Sequence, residues 1–293
     1  MRAWLIAIVL AAAVPAAAQD LDRDHLSDQL EQALLERFVP TLLLAADECD
    51  GAPASFVPLR SDPLVRAKDG TLYGQAFPIE PSGGRARVEL HFFHLWSRDC
   101  GRLGHDLDAE HVSAIVSATR AGAPASLWIA DAWYAAAHEG SACDASSGAA
   151  AGVIGAEANG PRVFVSRGKH ASYFDRGQCK WGCGGDQCGD DRVLVGATII
   201  NIGERRAPLN GAVWVHSRRW PLADKLSSDF DPSLRARFDG ADHVIPLMRN
   251  WRGPQAPVLA GDTALDGLGT AATQTKGALA TATRALIRFL RRR

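Results

Sequence analysis

The chain has 293 residues, is 47% hydrophobic, and carries 32 basic against 33 acidic residues for a formal net charge of −1. Such a balance gives no reason to expect nucleic acid as a partner, because that binding leaves a basic face as its footprint. The length suits one large domain, or one domain with accessory segments.

The N-terminus reads MRAWLIAIVLAAAVPAAAQD: one Arg, an apolar run, then Ala16, Ala17 and Ala18 before Gln19. That pattern predicts a secretory signal peptide over 1–18 with an A-x-A type cleavage site. The run is shorter than the roughly 20 apolar residues a membrane anchor needs. Losing Arg2 with this segment leaves 31 basic and 33 acidic residues, a net charge of −2. The expected localisation is secreted or periplasmic. In that oxidising setting Cys49, Cys100, Cys143, Cys179, Cys183 and Cys188 are disulfide candidates.

Asp24 to Phe38 predicts a helix, with Leu26, Leu30, Ala33, Leu34 and Phe38 at helical spacing and Pro40 as the stop. The apolar run TLLLAADE follows, so 19–48 is expected to form an N-terminal helix and first strand. From there β signals dominate: RVELHFF (87–93), HVSAIVSA (111–118), SLWIADAWYA (126–135), RVFVS (162–166), RVLVGATIIN (192–201) and GAVWVHS (211–217). Clusters of Gly, Pro, Asp and Ser separate them. No helix alternates reliably with these strands, which argues against a doubly wound fold. The expected class is mostly β: a β-sandwich with long loops over 49–255, an N-terminal helix, and a C-terminal basic amphipathic helix.

On the strand VELHFFHLW, His91 and His94 are an odd number apart and so should point to opposite faces. Just beyond lies LGHDLDAEHV (Leu103–Val112), with three acids and two histidines in ten positions. A solvated polar turn would show the same composition. Asp108 and Glu110 differ by two, so on a strand they share a face, roughly 6.6 Å apart at Cα. Two such carboxylates repel unless something positive lies between them. His105 and Asp99 can complete the cluster, giving the candidate metal set Asp99, His105, Asp108 and Glu110. Mostly oxygen with one imidazole suits Ca²⁺, Mg²⁺ or Mn²⁺ better than structural zinc.

Further along, SRGKHASYF places Ser166 near His170, but the chain has no G-x-S-x-G elbow and a serine hydrolase is rejected. CKWGCGGDQC holds Cys179, Cys183 and Cys188, which read either as a zinc site or as a local disulfide knot. The preferred arrangement is the knot with one outward bridge to Cys143, leaving Cys49 with Cys100. Residues 256–275 read as a linker. In 276–293, Leu279, Ala282, Leu286 and Leu290 form an apolar face beside Arg284, Arg288 and Arg291–Arg293. That tail is either an interfacial helix making peripheral membrane contact or a solubilising extension.

The stretch RDCGRLGHDLDAEHVSAIV resembles the signature of the necrosis-inducing cytolysins, where a Lys-Asp turn precedes Gly-His-Arg-His-Asp-Trp-Glu and a strand. The resemblance implies that Asp99, His105, Asp108 and Glu110 ligate a divalent cation on the rim of a β-sandwich that docks on membrane glycosphingolipids. Ala109 stands where that signature has Trp, and Leu107 where it has its second His. A second resemblance, over about 37–175, is to the vacuolar protein sorting sixty-two related family. It rests on FVPTLLLAADE, DAEHV, AAHEG (Ala136–Gly140) and VSRGKHASYF (Val165–Phe174). It implies that His111, His138, Glu139 and His170 border the same sandwich edge.

The expected function is that of an exported divalent-cation-binding β-sandwich protein that engages a membrane lipid headgroup or glycan. The alternative is a metal-dependent hydrolase of a phosphodiester, lipid or glycan, with His138 or His170 as general base. No residue is assigned a catalytic role on the first reading.

Overall fold

A computed structural model describes residues 19–211 except 22, 102–103, 139–143, 183–185, 195–196 and 205–206. The expected signal peptide, the strand expected at 211–217 beyond its first residue, the expected linker and the expected basic tail lie outside the described residues, as do Glu139, Cys143 and Cys183.

The helix α1 runs Asp28–Phe38, four residues shorter at its start than its periodicity predicts. Ser27 explains the difference. Its side chain accepts from the Leu30 amide, satisfying one of the unpaired N–H groups of the first turn, and Asp28 and Glu31 complement the helix dipole there. Leu26, left outside the helix, is still buried.

The strands follow in order: β1 (Thr41–Leu44), β2 (Ser55–Phe56), β3 (Val65–Ala67), β4 (Leu72–Ser82), β5 (Arg85–Arg98), β6 (Asp106–Ala118) and β7 (Ile129–Ala135). Then come β8 (Ser147–Ala150), β9 (Arg162–Val165), β10 (Ser172–Tyr173), β11 (Arg192–Leu194), β12 (Ile199–Asn201), β13 (Gly203–Glu204) and β14 (Ala207–Pro208). The chain is therefore mostly β with one N-terminal helix. The run expected as one strand over 192–201 divides into β11 and β12, which belong to different sheets.

The larger sheet has the order β12-β4-β5-β6-β7-β8, and the smaller β10-β9-β1-β11. Two hairpin-like pairs, β2–β3 and β13–β14, stand beside them. Two pairings are parallel, β1 with β9 and β12 with β4. Strand-like composition does not reveal that feature, because both strands in a parallel pair read as ordinary apolar runs.

One core joins the layers. Leu42 and Leu44 of β1 and Val163 and Val165 of β9 meet Leu90, Phe92 and Trp96 of β5, Val112, Ala114 and Val116 of β6, and Leu34 and Phe38 of α1. Alternation along β5 and β6 then fixes the rest. Residues in step with Phe92 and Val112 face this core, which places His94, Asp108 and Glu110 on the inner face. Residues one step out of phase face the other side, where Phe93, Leu95 and Ala109 pack with Phe56 and Tyr73.

Candidate functional site

The β5–β6 connection is held shut by its own backbone: the Asp99 amide donates to the His105 carbonyl at 2.8 Å. Gly104 has no substitute there, because a Cβ would sit 2.1 Å from the Asp99 carbonyl oxygen. The turn brings Asp99 and His105 together, with Asp99 Oδ2 and His105 Nε2 3.6 Å apart. His105 Nδ1 lies 2.9 Å from the Leu107 carbonyl, which can only accept. That nitrogen is therefore a donor, and Nε2 is the ring atom that faces Asp99 and solvent. Leu107 takes a positive φ of 62° immediately before Asp108, a conformation a branched side chain rarely adopts.

Asp108 and Glu110 lie on β6 opposite Trp96 and His94 of β5, on one face as their spacing predicts. Both are buried, as are Asp99 and Glu48. Polar cover comes from the β9–β10 turn, Arg167–Ala171, in which Gly168 and His170 take positive φ. This turn delivers two adjacent cations. Lys169 Nζ bonds Asp99 Oδ2 at 2.6 Å. His170 Nδ1 reaches Asp108 Oδ2 at 2.8 Å, and Nε2 reaches Glu48 Oε1 at 3.2 Å. Burial alone would depress the imidazolium, but bonds and charge from Asp108 and Glu48 push its pKa up to about 9. Glu48 is raised by burial and lowered by more through His170 and the Gly168 amide, so it stays ionised.

Further in, His138 Nε2 and the Tyr173 hydroxyl both meet Asp186 Oδ2, at 2.7 and 2.8 Å. Burial works against the charged form of His138, while Asp186 and then Glu110 hold its pKa above the usual value. His94 is neutral by a different constraint. Its Nδ1 accepts from Trp96 Nε1 at 2.9 Å, so Nε2 is the protonated nitrogen and donates to Ser172 Oγ at 2.8 Å. It has no lone pair left to activate that hydroxyl.

His91 and His94 do point to opposite faces, and this removes His111 from the site. His111 stacks with His91 and packs at a tilt on Phe93 on the outer face, away from its neighbour Glu110. It was expected at the site border, and strand alternation excludes it. His138 and His170 are at the site, but as ion-pair partners of Asp186, Asp108 and Glu48. The hydrolase reading loses its base at His170, where both nitrogens are engaged and the ring is charged at neutral pH. Ser166 likewise has no imidazole to serve it.

Four residues carry the site that residue spacing did not mark: Glu48, Lys169, Asp186 and Tyr173. Glu48 lies four residues beyond β1, and its only sequence signal was its place as the terminal acid of FVPTLLLAADE.

Ligand atoms of Glu48, Cys49 and His170 lie within 4.8 Å of one another, a grouping that could hold a metal ion. Cys49, however, is bonded to Cys100, and a disulfide sulfur offers no thiolate. The carboxylate and imidazole are what remain. Cys179 is bonded to Cys188, which excludes both from the zinc alternative and supplies part of the expected knot. No described cysteine is free.

Fold and site together define a mostly β chain with a buried, acid-rich cluster at one end of its inner sheet face. No family model matches the chain, and no curated protein matches it, so the vacuolar protein sorting resemblance is not supported. Solved structures do match, and the resemblance is to necrosis- and ethylene-inducing-peptide-like toxins. One is NLPPya in complex with mannosamine, at 17% identity and a TM-score of 0.35, covering 68% of this chain and 82% of that one. NLPPya in complex with glucosamine gives 18% identity, a TM-score of 0.35 and the same coverage, 68% and 82%. A structure described as a toxin fold for microbial attack and plant defense gives 14% identity and a TM-score of 0.35, covering 73% of this chain and 100% of that one. The amino sugars belong to those complexes, and no residue role here is taken from them.

Proposed function

We propose that this chain is an exported β-sandwich protein that binds a divalent cation through Asp99, His105, Asp108 and Glu110. The bound ion presents open coordination to the hydroxyl-rich part of a glycan or lipid headgroup. One observation supports the reading above others. The buried Asp99 and the exposed His105 face each other at 3.6 Å across the β5–β6 turn, and the buried Asp108 and Glu110 share the inner face of β6 beside it. Oxygen donors with one imidazole fit Ca²⁺, Mg²⁺ or Mn²⁺.

Lys169 and the His170 imidazolium occupy the same carboxylates, so an incoming ion competes with them. Occupancy then depends on pH and on the mobility of the Lys169 side chain, which is 25% exposed. His170 is not placed to take a proton at neutral pH, because both its nitrogens are engaged and its ring is charged.

The test is thermal denaturation in chelator and in excess Ca²⁺, Mg²⁺ or Mn²⁺, with elemental analysis of the purified protein. An ion bound only by the folded state raises the melting temperature by mass action. The expected result is such a rise in the unaltered chain and its loss in the Asp108→Ala, Glu110→Ala double variant. No bound metal and no shift with any of the three ions would remove the proposal. The two sources of the hydroxyl-rich ligand separate by comparing free oligosaccharides with glycolipid vesicles at saturating cation.

A further inference from the structure

A cavity lies away from the acidic cluster, on the flank where α1, the β2–β3 pair and the parallel β12–β4 edge meet. Its volume is about 490 Å³, within the range of roughly 300–1,000 Å³ typical of small-molecule sites. Phe56, Pro58, Ile199 and Ile200 supply its apolar wall. Arg66, Gln32 and Asn210 supply its polar groups.

The hydrogen bonds already present decide what those polar groups can still offer. Gln32 spends its Nε2 on Glu36 and on the Ile199 carbonyl, leaving its amide oxygen. Asn210 spends its Nδ2 on the Asn201 carbonyl and likewise keeps an oxygen. Ser55 lines the cavity, but its hydroxyl is committed to Asp69 at 2.8 Å. Asp69 is in turn occupied by Ser55 and Thr71, which hold its pKa low against a partial desolvation. Arg66 is exposed on β3 and forms no ion pair with a described residue. The cavity therefore combines one uncommitted cation, two amide acceptors and an apolar floor.

We propose that this cavity binds a small organic anion with an apolar body and a hydrogen-bond donor, the chemistry of an aromatic hydroxy acid or a free apolar amino acid. Arg66 takes the anionic group in its planar fork of donors. The Gln32 and Asn210 oxygens accept from the ligand's N–H or O–H. Phe56 and the two isoleucines cover the body. The site stands independently of the cation cluster.

The experiment uses the full mature chain and 8-anilinonaphthalene-1-sulfonate, which carries a sulfonate, an anilino N–H and an aromatic body. Fluorescence titration should show saturable binding that chelator leaves unchanged. Arg66→Gln should weaken it at least tenfold and Arg66→Glu should abolish it, with melting temperatures unaltered because the side chain is exposed. Arg60→Gln, an exposed change outside the cavity, should have no effect. N-phenyl-1-naphthylamine, the same body without the sulfonate, should bind at least tenfold more weakly. Absence of saturable binding, equal binding by Arg66→Glu, or equal affinity for the uncharged probe would each overturn the proposal.

Discussion

His170 lies flat against Trp96, with ring centroids 3.9 Å apart and planes 8° from parallel, while Asp108 and Glu48 hold its two nitrogens. The indole face adds a cation–π attraction to a ring kept charged by its carboxylates. Trp96→Leu should therefore lower the His170 pKa from about 9, read by NMR titration of the imidazole. Trp96 is fully buried, so the same change should cost about 2–5 kcal/mol in stability. A stability loss with an unmoved titration would mean that the indole acts by packing alone.

Lys169 competes for Asp99 with any divalent ion that enters. Lys169→Met removes that competitor while keeping much of the apolar stem. Divalent affinity should rise by about tenfold, or about 1.4 kcal/mol, measured by titration calorimetry. A weaker affinity would instead show that Lys169 positions the Asp99 carboxylate.

Asp50 makes a prediction about acid. Burial raises its pKa, but Lys68 and the Ser97 hydroxyl and amide lower it by more, so the folded value is below the usual one. A depressed carboxylate stabilises the fold above its unfolded pKa, near 4, and loses that contribution as pH falls through the folded value. Asp50→Asn should therefore be less stable than the unaltered chain at pH 7, with the gap narrowing as pH falls below the unfolded value. Urea denaturation across that range checks it. A gap independent of pH would assign the loss to hydrogen-bond geometry.

The Cys49–Cys100 bridge spans 51 positions and ties Glu48's neighbour to Asp99's neighbour. Replacing both cysteines by Ala should cost about 4 kcal/mol from loop-closure entropy in the unfolded chain. Cation affinity should fall as well, because two site carboxylates lose their common anchor. Lost stability with unchanged affinity would show that the Gly168 contacts to Glu48 and Cys100 suffice to hold the site.

Gly104→Ala should disrupt the β5–β6 turn, since no Cβ fits beside the Asp99 carbonyl. Loss of the cation-dependent melting shift, with the core otherwise folded by circular dichroism, is the expected signature.

Short-range periodicity carried much of the fold. The opposite facing of His91 and His94, and the shared face of Asp108 and Glu110, followed from the two-residue repeat alone. The same repeat condemned His111 once Glu110 was assigned inward, a conclusion available from the sequence. Glu48, Lys169 and Asp186 were not legible because their roles come from pairings between distant segments. Nothing local to TLLLAADE says that its last acid will meet an imidazole from the β9–β10 turn. The Cys49–Cys100 bridge matches the preferred pairing. The tail, the linker and the outward bridge to Cys143 lie outside the described residues.

β1 is paired on one side by β9 and on the other by β11, so both of its neighbours come from far downstream. Glu48 and His170, which meet across this junction, are 122 positions apart. During folding, then, the acidic cluster can form only after this long loop has closed, and that closure is an entropic barrier of its own. An ion captured by the finished cluster arrives too late to hasten the search. Its effect belongs to the return journey, as a slower unfolding rate with the refolding rate left nearly unchanged.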